Sequence, residues 1–233
     1  MASRLPSRRS AEPIVRPEGL NDVVLRRLRE DIIDDVFALG EKLSEYLIAE
    51  HYGVTRAPVR TAFRHLQAEG LLQIQPQRGA FVFNPAPAEI RALCELRTAL
   101  EHEAVALAMA RNRPGIVARL RALLGAMAAC VANADQPAYQ KLDDAFHLAI
   151  HEMADSPLLL ETYRSAVSGR CAALRIRLSR HPGHLQASIR EHRAITADIE
   201  AGDLDSVQAR LRGHIENTQS FYAGLLDHRP DPT

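Results

Sequence analysis

The sequence of 233 residues has no tryptophan, only three cysteines and no net charge, since 29 basic side chains balance 29 acidic ones. Cys94, Cys130 and Cys171 lie far apart and form no C-x-x-C pair, which argues against a thiolate zinc site or a disulfide framework. The longest apolar run, 104–110, is far shorter than the roughly 20 residues that span a bilayer. The first ten residues lack the apolar stretch of a secretory signal. We therefore expect a cytoplasmic protein with no membrane segment.

Charge is distributed unevenly along the chain, although its sum is zero. Residues 18–50 carry four basic and nine acidic side chains, whereas residues 51–85 carry four arginines and one glutamate. Residues 86–233 are close to neutral, with 17 basic and 18 acidic side chains. A short basic segment in a neutral protein is compatible with a nucleic-acid contact and equally with a solvated helix face. An apolar content of 46% is enough for a sizeable core.

The first part of the chain has the pattern of three helices followed by a hairpin. Residues 1–17 are rich in Arg, Ser and Pro without apolar periodicity, which predicts a mobile tail. Ser44 and Thr55 are suitable N-caps, and Gly79 suits the turn between the strands. Apolar spacing and glycine stops predict helices over 20–37, 45–52 and 56–69, followed by strands over 71–75 and 80–83.

The rest of the chain reads as helical after a break at Asn84-Pro85-Ala86-Pro87. Apolar periodicity, punctuated by proline and glycine, predicts helices near 88–111, 115–133, 137–154, 157–180, 184–201 and 203–226. We therefore predict a mainly α protein, in which a winged helix-turn-helix with a small β-hairpin precedes an all-α helix bundle.

A helix-turn-helix followed by a glycine-tipped hairpin is typical of a DNA-binding motif. Its second helix would enter the major groove by its N-terminal residues. Arg56 and Arg60 are four residues apart and share one face, where guanidinium groups can bind guanine or phosphate. The predicted DNA-contacting residues are Thr55, Arg56, Arg60, Arg64, Arg78 and Gly79.

The run GVTRAPVRTAFRHLQAEGLLQIQPQRGAFV at 53–82 resembles the winged helix-turn-helix of the GntR family of bacterial transcription regulators. The resemblance covers about residues 20–83, and it implies operator contacts by Arg56 and Arg60. Two positions depart from the family pattern. Many members have an arginine where this chain has Tyr46, so one phosphate contact expected from the family is not expected here. Many also have a glutamate where this chain has Thr61.

The helical part contains an acidic and histidine set with metal-ligand character. Asp143 and His147 are four residues apart on one predicted helix. His192 precedes Gly202 by ten residues and His214 follows it by twelve, so an antiparallel helix pair brings the two histidines to nearly the same level. One carboxylate and three imidazoles suit Zn, Ni or Mn, with open positions for water or a ligand.

The alternative is a group of hydrogen-bonded core histidines, and His151 offers a rival pair with His147. The runs LDDAFHLAIHEMADSPLLL and EHRAITADIEAGDLDSVQARLRGHI resemble the C-terminal ligand-binding domain of the FadR-type GntR subfamily, called FCD. Its metal-binding members hold the ion with one Asp and three His. The resemblance implies the same role for Asp143, His147, His192 and His214.

Two arginines are candidates for binding an effector. Arg97 lies at the inner edge of its predicted helix, and an inward arginine needs an anionic partner. The resemblance implies that a small carboxylate effector is that partner, beside the metal; an ion pair with Glu101 or Asp143 is an equal alternative. Arg170 is the second candidate, because it shares a predicted helix face with Tyr163, Val167 and Leu174.

The sequence thus predicts a cytoplasmic, homodimeric transcription regulator, a repressor and not an enzyme, that binds operator DNA and senses a small organic acid through a divalent metal. One alternative is a regulator with a purely structural metal, and another is a metal-dependent helical-bundle enzyme. The predicted division is a tail at 1–17, a DNA-binding domain at 18–84, a linker at 85–87 and an effector-binding and dimerisation domain at 88–229.

Overall fold

The computed structural model describes residues 18–178 and 183–227. It is mainly helical with one small antiparallel sheet near the N-terminus, which confirms the predicted fold class. The predicted tail at 1–17 and the last residues of the predicted second domain, 228–229, lie outside the described residues.

Three helices and three short strands form the N-terminal unit: α1 (Leu20–Ile33), β1 (Lys42–Leu43), α2 (Glu45–Tyr52), α3 (Arg56–Ala68), β2 (Leu72–Gln75) and β3 (Gly79–Val82). The start of α2 follows from Ser44, whose side chain accepts a hydrogen bond from the Leu47 amide. Its end follows from Gly53, which adopts the left-handed conformation with φ 66°. The predicted bounds of this helix, 45–52, are confirmed.

Two features of this unit differ from the sequence prediction. Helix α1 ends at Ile33 and does not continue to residue 37, because Asp34 caps it and Asp35 turns the chain with φ 63°. The sheet has a third strand, β1, which pairs Lys42 with Phe81 and places β3 between β1 and β2. Two residues are too few to give a period-2 pattern, so the sequence analysis missed this strand.

The helical unit consists of α4 (Pro87–Ala132), α5 (Gln136–Met153), α6 (Pro157–Tyr163), a π-turn (Arg164–Ser168), α7 (Gly169–Leu178), α8 (His184–Ala201) and α9 (Leu204–Asp227). The predicted break between two helices near residues 111–115 is a kink within α4. Asn112 has non-helical angles there, φ −154° and ψ 65°, and its side chain accepts a hydrogen bond from the Gly115 amide. The predicted helix 157–180 is likewise interrupted by the π-turn.

The two units share a packed boundary. The core of the N-terminal unit includes Leu28, Val59 and Leu71, and Ala173 of α7 is fully buried in the same apolar cluster. Phe83, which follows β3, packs with Tyr163 in a separate cluster that belongs mainly to the helical unit. The N-terminal unit is therefore held against α7 by apolar side chains on both sides.

Helix α4 is the central helix of the bundle and packs against α5, α8 and α9. Among the described residues, it is the one helix long and apolar enough to cross a membrane by length and composition, with a mean hydropathy of 1.6 in its best window. A core helix has the same composition, and Ala104, Val105 and Leu120 are fully buried in the bundle core.

Candidate metal centre and DNA-binding surface

Exposed arginines follow the outer face of α3. Its inner face is buried through Val59, Phe63 and Leu66, which contribute to the core of the N-terminal unit. This packing leaves the opposite face to solvent, where all three predicted arginines of the helix are exposed: Arg56, Arg60 and Arg64. Basic side chains on one face of a recognition helix suit the phosphates and base edges of a major groove.

Helix α2 orients two of these arginines. Arg60 donates to the carboxylate of Glu45 through Nε and Nη2 at 3.0–3.3 Å. The guanidinium of Arg56 lies over the ring of Tyr46, 5.3 Å from its centroid, which is a cation–π distance. Thr55 occupies the N-cap position of α3, although its side chain makes no capping hydrogen bond.

The wing carries the remaining predicted DNA contacts. Arg78 is exposed at the tip, and its guanidinium lies 5.9 Å from the Phe81 ring centroid. Gly79 has φ 110°, and a Cβ there would lie 3.1 Å from Cε of Lys42. Glycine therefore allows the tight turn that presents Arg78.

Three histidines converge inside the helical unit, from α5, α8 and α9. Nε2 of His147 lies 3.3 Å from Nε2 of His192 and 3.2 Å from Nε2 of His214. All three residues are buried. Nitrogens bound to one ion at about 2.0–2.1 Å are about 3.0–3.4 Å apart when adjacent. The spacing and the ligand type therefore fit a divalent metal ion.

The other nitrogen of each ring faces a hydrogen-bonding group. Nδ1 of His147 lies 2.9 Å from Glu101, and Nδ1 of His214 lies 2.6 Å from Glu191. Nδ1 of His192 lies 3.5 Å from the Ser188 hydroxyl. A carboxylate oxygen accepts hydrogen bonds, so the Nδ1 atoms of His147 and His214 carry the hydrogen and donate it. Their Nε2 atoms then present a lone pair to the centre. Metal-binding histidines are usually oriented in this way.

Asp143, the fourth predicted ligand, lies at the edge of this cluster. Its Oδ1 is 3.6 Å from Nε2 of His192 and accepts a hydrogen bond from Ser188. Its Oδ2 accepts a hydrogen bond of 2.7 Å from Arg175. Burial alone would raise the pKa of Asp143, but the charge of Arg175 holds it well below its ordinary value. Asp143 is therefore an anion beside the three imidazoles.

Arg97 reaches the same point from α4, fully buried. Its Nε donates to Glu101 at 2.6 Å, and its Nη2 lies 2.8 Å from Nε2 of His147. The structure therefore shows the ion pair with Glu101 that the sequence analysis held open, and it also places the guanidinium at the centre. Burial alone would raise the pKa of Glu101, but Arg97 and His147 hold it well below its usual range.

Comparison with known proteins identifies the two units. Residues 92–217 match the profile of the FCD domain, and residues 20–82 match that of the bacterial regulatory proteins of the gntR family. The chain belongs to the GntR family of transcription regulators. GntR-family proteins regulate transcription by binding DNA and are not enzymes, so the predicted class is confirmed and the enzyme alternative is set aside. An FCD domain and a histidine triad also associate this regulator with metal binding.

Relatives and solved structures agree with this assignment. The regulator is 27% identical over 219 residues to the HTH-type transcriptional repressor RspR of Escherichia coli, covering 92% of this chain and 93% of RspR. It is 28% identical to a probable D-xylose utilization operon transcriptional repressor of Paenarthrobacter nicotinovorans, over 82% of this chain and 85% of that protein. The E. coli McbR/YncC structure has the same fold, with a TM-score of 0.78 and 22% identity over 90% of this chain and 100% of that one.

The second predicted effector arginine lies away from the three histidines. Arg170 lines the groove between the two units, where it approaches Gly70 and donates to the Ala166 carbonyl. The arginine of this part of the chain that reaches the centre is Arg175, which donates to Asp143 and joins Arg97 there. The π-turn contains one residue more than an α-helical turn, so it shifts the inward-facing positions that follow it along the chain. A regular period of 3.6, which the sequence analysis assumed, therefore placed Arg170 on the inner face.

Several partners of the centre were not predicted as site residues: Glu101, Ser188, Glu191 and Arg175. Spacing gave a partial signal, since Ser188 precedes His192 by one helical turn. The rival histidine, His151, is not one of the three that converge. Its Nδ1 donates to the His147 carbonyl, and its ring stacks on Tyr163 at 3.7 Å between centroids.

We predict that the free energy of unfolding of the regulator, kept metal-free by a chelator, falls as the pH is lowered from about 6.5 to 4. Burial lowers the pKa of His147 to about 4, so the unfolded chain takes up this proton at a higher pH than the folded one. The contribution of His147 is at most about 3 kcal/mol, at 1.36 kcal/mol per pKa unit. Urea unfolding at a series of pH values measures it. A His147→Gln variant should show a shallower pH dependence, and identical slopes would contradict the prediction.

Proposed function

We propose that this GntR regulator is a cytoplasmic homodimeric repressor whose operator affinity responds to a small carboxylate effector bound beside a metal ion. The observation that carries the proposal is the convergence of Nε2 of His147, His192 and His214 inside the helical unit. We propose residues 18–84 as the DNA-binding domain, 85–87 as the linker and 88–229 as the effector-binding and dimerisation domain.

The chemistry of the donor set supports a metal. Burial lowers the pKa of His147 to about 4 and that of His192 well below its ordinary value, so both rings are neutral and able to ligate at pH 7. Asp143 would add a charged oxygen at the edge of the cluster. Zn, Ni or Mn suits three imidazoles and one carboxylate, and such an ion would supply a Lewis-acid contact for an effector oxygen.

Arg97 supports an anionic effector. Its Nη2 donates to the lone pair of His147 Nε2, and that lone pair is the one His147 would give to a metal. A buried guanidinium then needs another acceptor for this donor. A carboxylate satisfies it with a charge-assisted hydrogen bond, while Glu101 continues to bind Nε. Arg170 lines the groove between the two units, so an effector bound by Arg170 would lie in that groove and not at the histidine centre.

Two further buried groups favour an acid that also carries a hydroxyl group. Among the described residues, the Tyr163 hydroxyl and Nε2 of His151 are buried without a hydrogen-bond partner. Arg97 and Glu101 both act on the pKa of Tyr163 and on that of His151, which places the two groups near the ion pair. Unsatisfied buried polar groups suit a ligand that brings donors and acceptors. We therefore propose a hydroxy or dicarboxylic acid as the effector.

The opening at the centre is small. A cleft bordered by Asp143, Arg175, Ser188 and His214 has a volume of about 20 Å³, which is enough for about one water molecule. An effector larger than this must move the surrounding side chains. A ligand that prefers the widened arrangement shifts the protein toward it, and regulation needs such a preference.

The DNA-binding residues proposed for the operator contact are Thr55, Arg56, Arg60, Arg64, Arg78 and Gly79. One recognition helix reads few base pairs, so two copies that bind paired half-sites supply the affinity and specificity of an operator. This argument, together with the FCD domain, supports a homodimer.

For the DNA contact, we predict that Arg60→Ala weakens binding to an operator selected from a random duplex library by about 1–3 kcal/mol. A base contact would relax specificity at one position, and a phosphate contact would lower the salt slope. Fluorescence anisotropy over a range of salt concentrations measures both. The exposed Arg119→Ala on α4 is the matched control. Unchanged affinity, specificity and salt slope would remove Arg60 from the contact.

For the metal, we predict that His214→Ala lowers the zinc content per protomer and abolishes the rise in melting temperature that zinc gives the wild type. An ion that binds only the folded state stabilises it by an amount that grows with the ratio of ion concentration to Kd, and loss of one imidazole raises Kd. Elemental analysis and thermal unfolding measure the two effects. The exposed His65→Ala should behave as wild type, and equal zinc content in His214→Ala would overturn the assignment.

For the effector, we predict that small hydroxy and dicarboxylic acids raise the melting temperature of the zinc-loaded regulator, whereas neutral sugars do not. Arg97→Lys keeps a cation for Glu101 but removes the two-pronged guanidinium, so the response to acids should fall while zinc content stays. The exposed Arg91→Lys on the same helix is the control. A wild-type response in Arg97→Lys would contradict the effector role. Zinc binding without any response to acids would indicate a structural metal.

A further inference from the structure

Helix α7 belongs to the helical unit by sequence but to both units by packing. Ala173 is fully buried in the core of the N-terminal unit. At Gly169, a Cβ would lie 3.1 Å from Cδ1 of Leu71, the fully buried residue that precedes β2. Close packing of this kind transmits small displacements, because the interior is not readily compressed. A shift of α7 therefore acts directly on the winged helix-turn-helix.

The same helix also reaches the histidine centre. Arg175 is buried, and its Nη1 donates to Asp143 at 2.7 Å while its Nη2 donates to Asp144 at 2.5 Å. One guanidinium thus joins the proposed metal ligand to its neighbour on α5. Asp144 in turn accepts a hydrogen bond from the Ser168 hydroxyl, at 3.2 Å to Oδ1.

Ser168 is the last residue of the π-turn that leads into α7. A π-turn holds one more residue than an α-helical turn and occurs frequently at functional sites. It can give up that residue to a neighbouring turn, which would rotate and shift the helix that follows. Coupling between distant sites needs an element of this kind, with two discrete arrangements.

We propose that α7 couples the histidine centre to the winged helix-turn-helix, and that Arg175 and Asp144 are the positioning residues of this coupling. The proposal rests on the metal-dependent function proposed above. If Asp143 also ligated a cation, it would hold Arg175 less strongly, because its charge would be shared and the two cations would repel each other. Arg175 would then be held mainly by Asp144, which already accepts from its Nη2 at 2.5 Å, and α7 would change its position against Leu71.

Hydrogen exchange of the full chain, with zinc or with a chelator, tests the proposal. Zinc should slow exchange in the wild type both in α5 and in the α1 and β2 segments that pack near α7. Asp144→Asn and Ser168→Ala should keep the response in α5 and lose it in α1 and β2. Ser165→Ala is the matched control, since Ser165 lies on the same π-turn but its hydroxyl donates to the Thr162 carbonyl; it should respond as wild type.

Titration calorimetry with zinc separates the proposed metal site from the proposed coupling through α7. If zinc binds the wild type and both Asp144→Asn and Ser168→Ala with similar affinity, the loss of the distant response supports the coupling. If zinc binds but α1 and β2 do not respond in the wild type, or respond equally in Asp144→Asn, the coupling is wrong and the metal site stands. If zinc does not bind the wild type, the proposed function fails, and the coupling fails with it. Should Asp144→Asn not fold, Ser168→Ala decides.

Discussion

Three imidazoles meet within the FCD domain, where Nε2 of His147 lies 3.3 Å from that of His192 and 3.2 Å from that of His214, and the proposed function depends on this meeting. Neutral nitrogen acceptors buried face to face are unfavourable unless a donor or a cation lies between them. The helices α5, α8 and α9 carry the three rings, and Glu101 of α4 together with Glu191 and Ser188 of α8 lie at the other ring nitrogens. The arrangement makes chemical sense as a cation site.

The charged groups around the centre are paired with one another, and carboxylates outnumber guanidiniums. Arg97 and Glu101 form a fully buried ion pair, and Arg175 pairs with both Asp143 and Asp144. Such networks are costly to bury and often contribute little net stability. A regulator can use such a network because its members share partners. When one charged group gains a new partner, the ion pairs of the other groups change in strength.

The sequence predicted the elements whose ends are set by local chemistry. Ser44 and Gly53 set both ends of α2, and Gly202 allows the antiparallel turn that brings His192 opposite His214. It failed where the signal is short or shifts in phase. The two-residue strand β1 is too short to show a period. The π-turn changes the helical phase of the residues that follow it, so Arg175 and not Arg170 contacts the centre. The contacts of Glu101 and Glu191 depend on helix packing, which helical spacing alone does not determine.

The most direct test of the central claim is X-ray absorption spectroscopy at the metal edge of the full-length regulator loaded with one equivalent of zinc. Our account predicts histidine nitrogens in the first coordination sphere at about 2.0–2.1 Å, with the multiple-scattering signature of three imidazoles. The His65→Ala protein should give the same spectrum. A spectrum with sulfur ligands, or with light-atom ligands that lack imidazole scattering, would contradict the account.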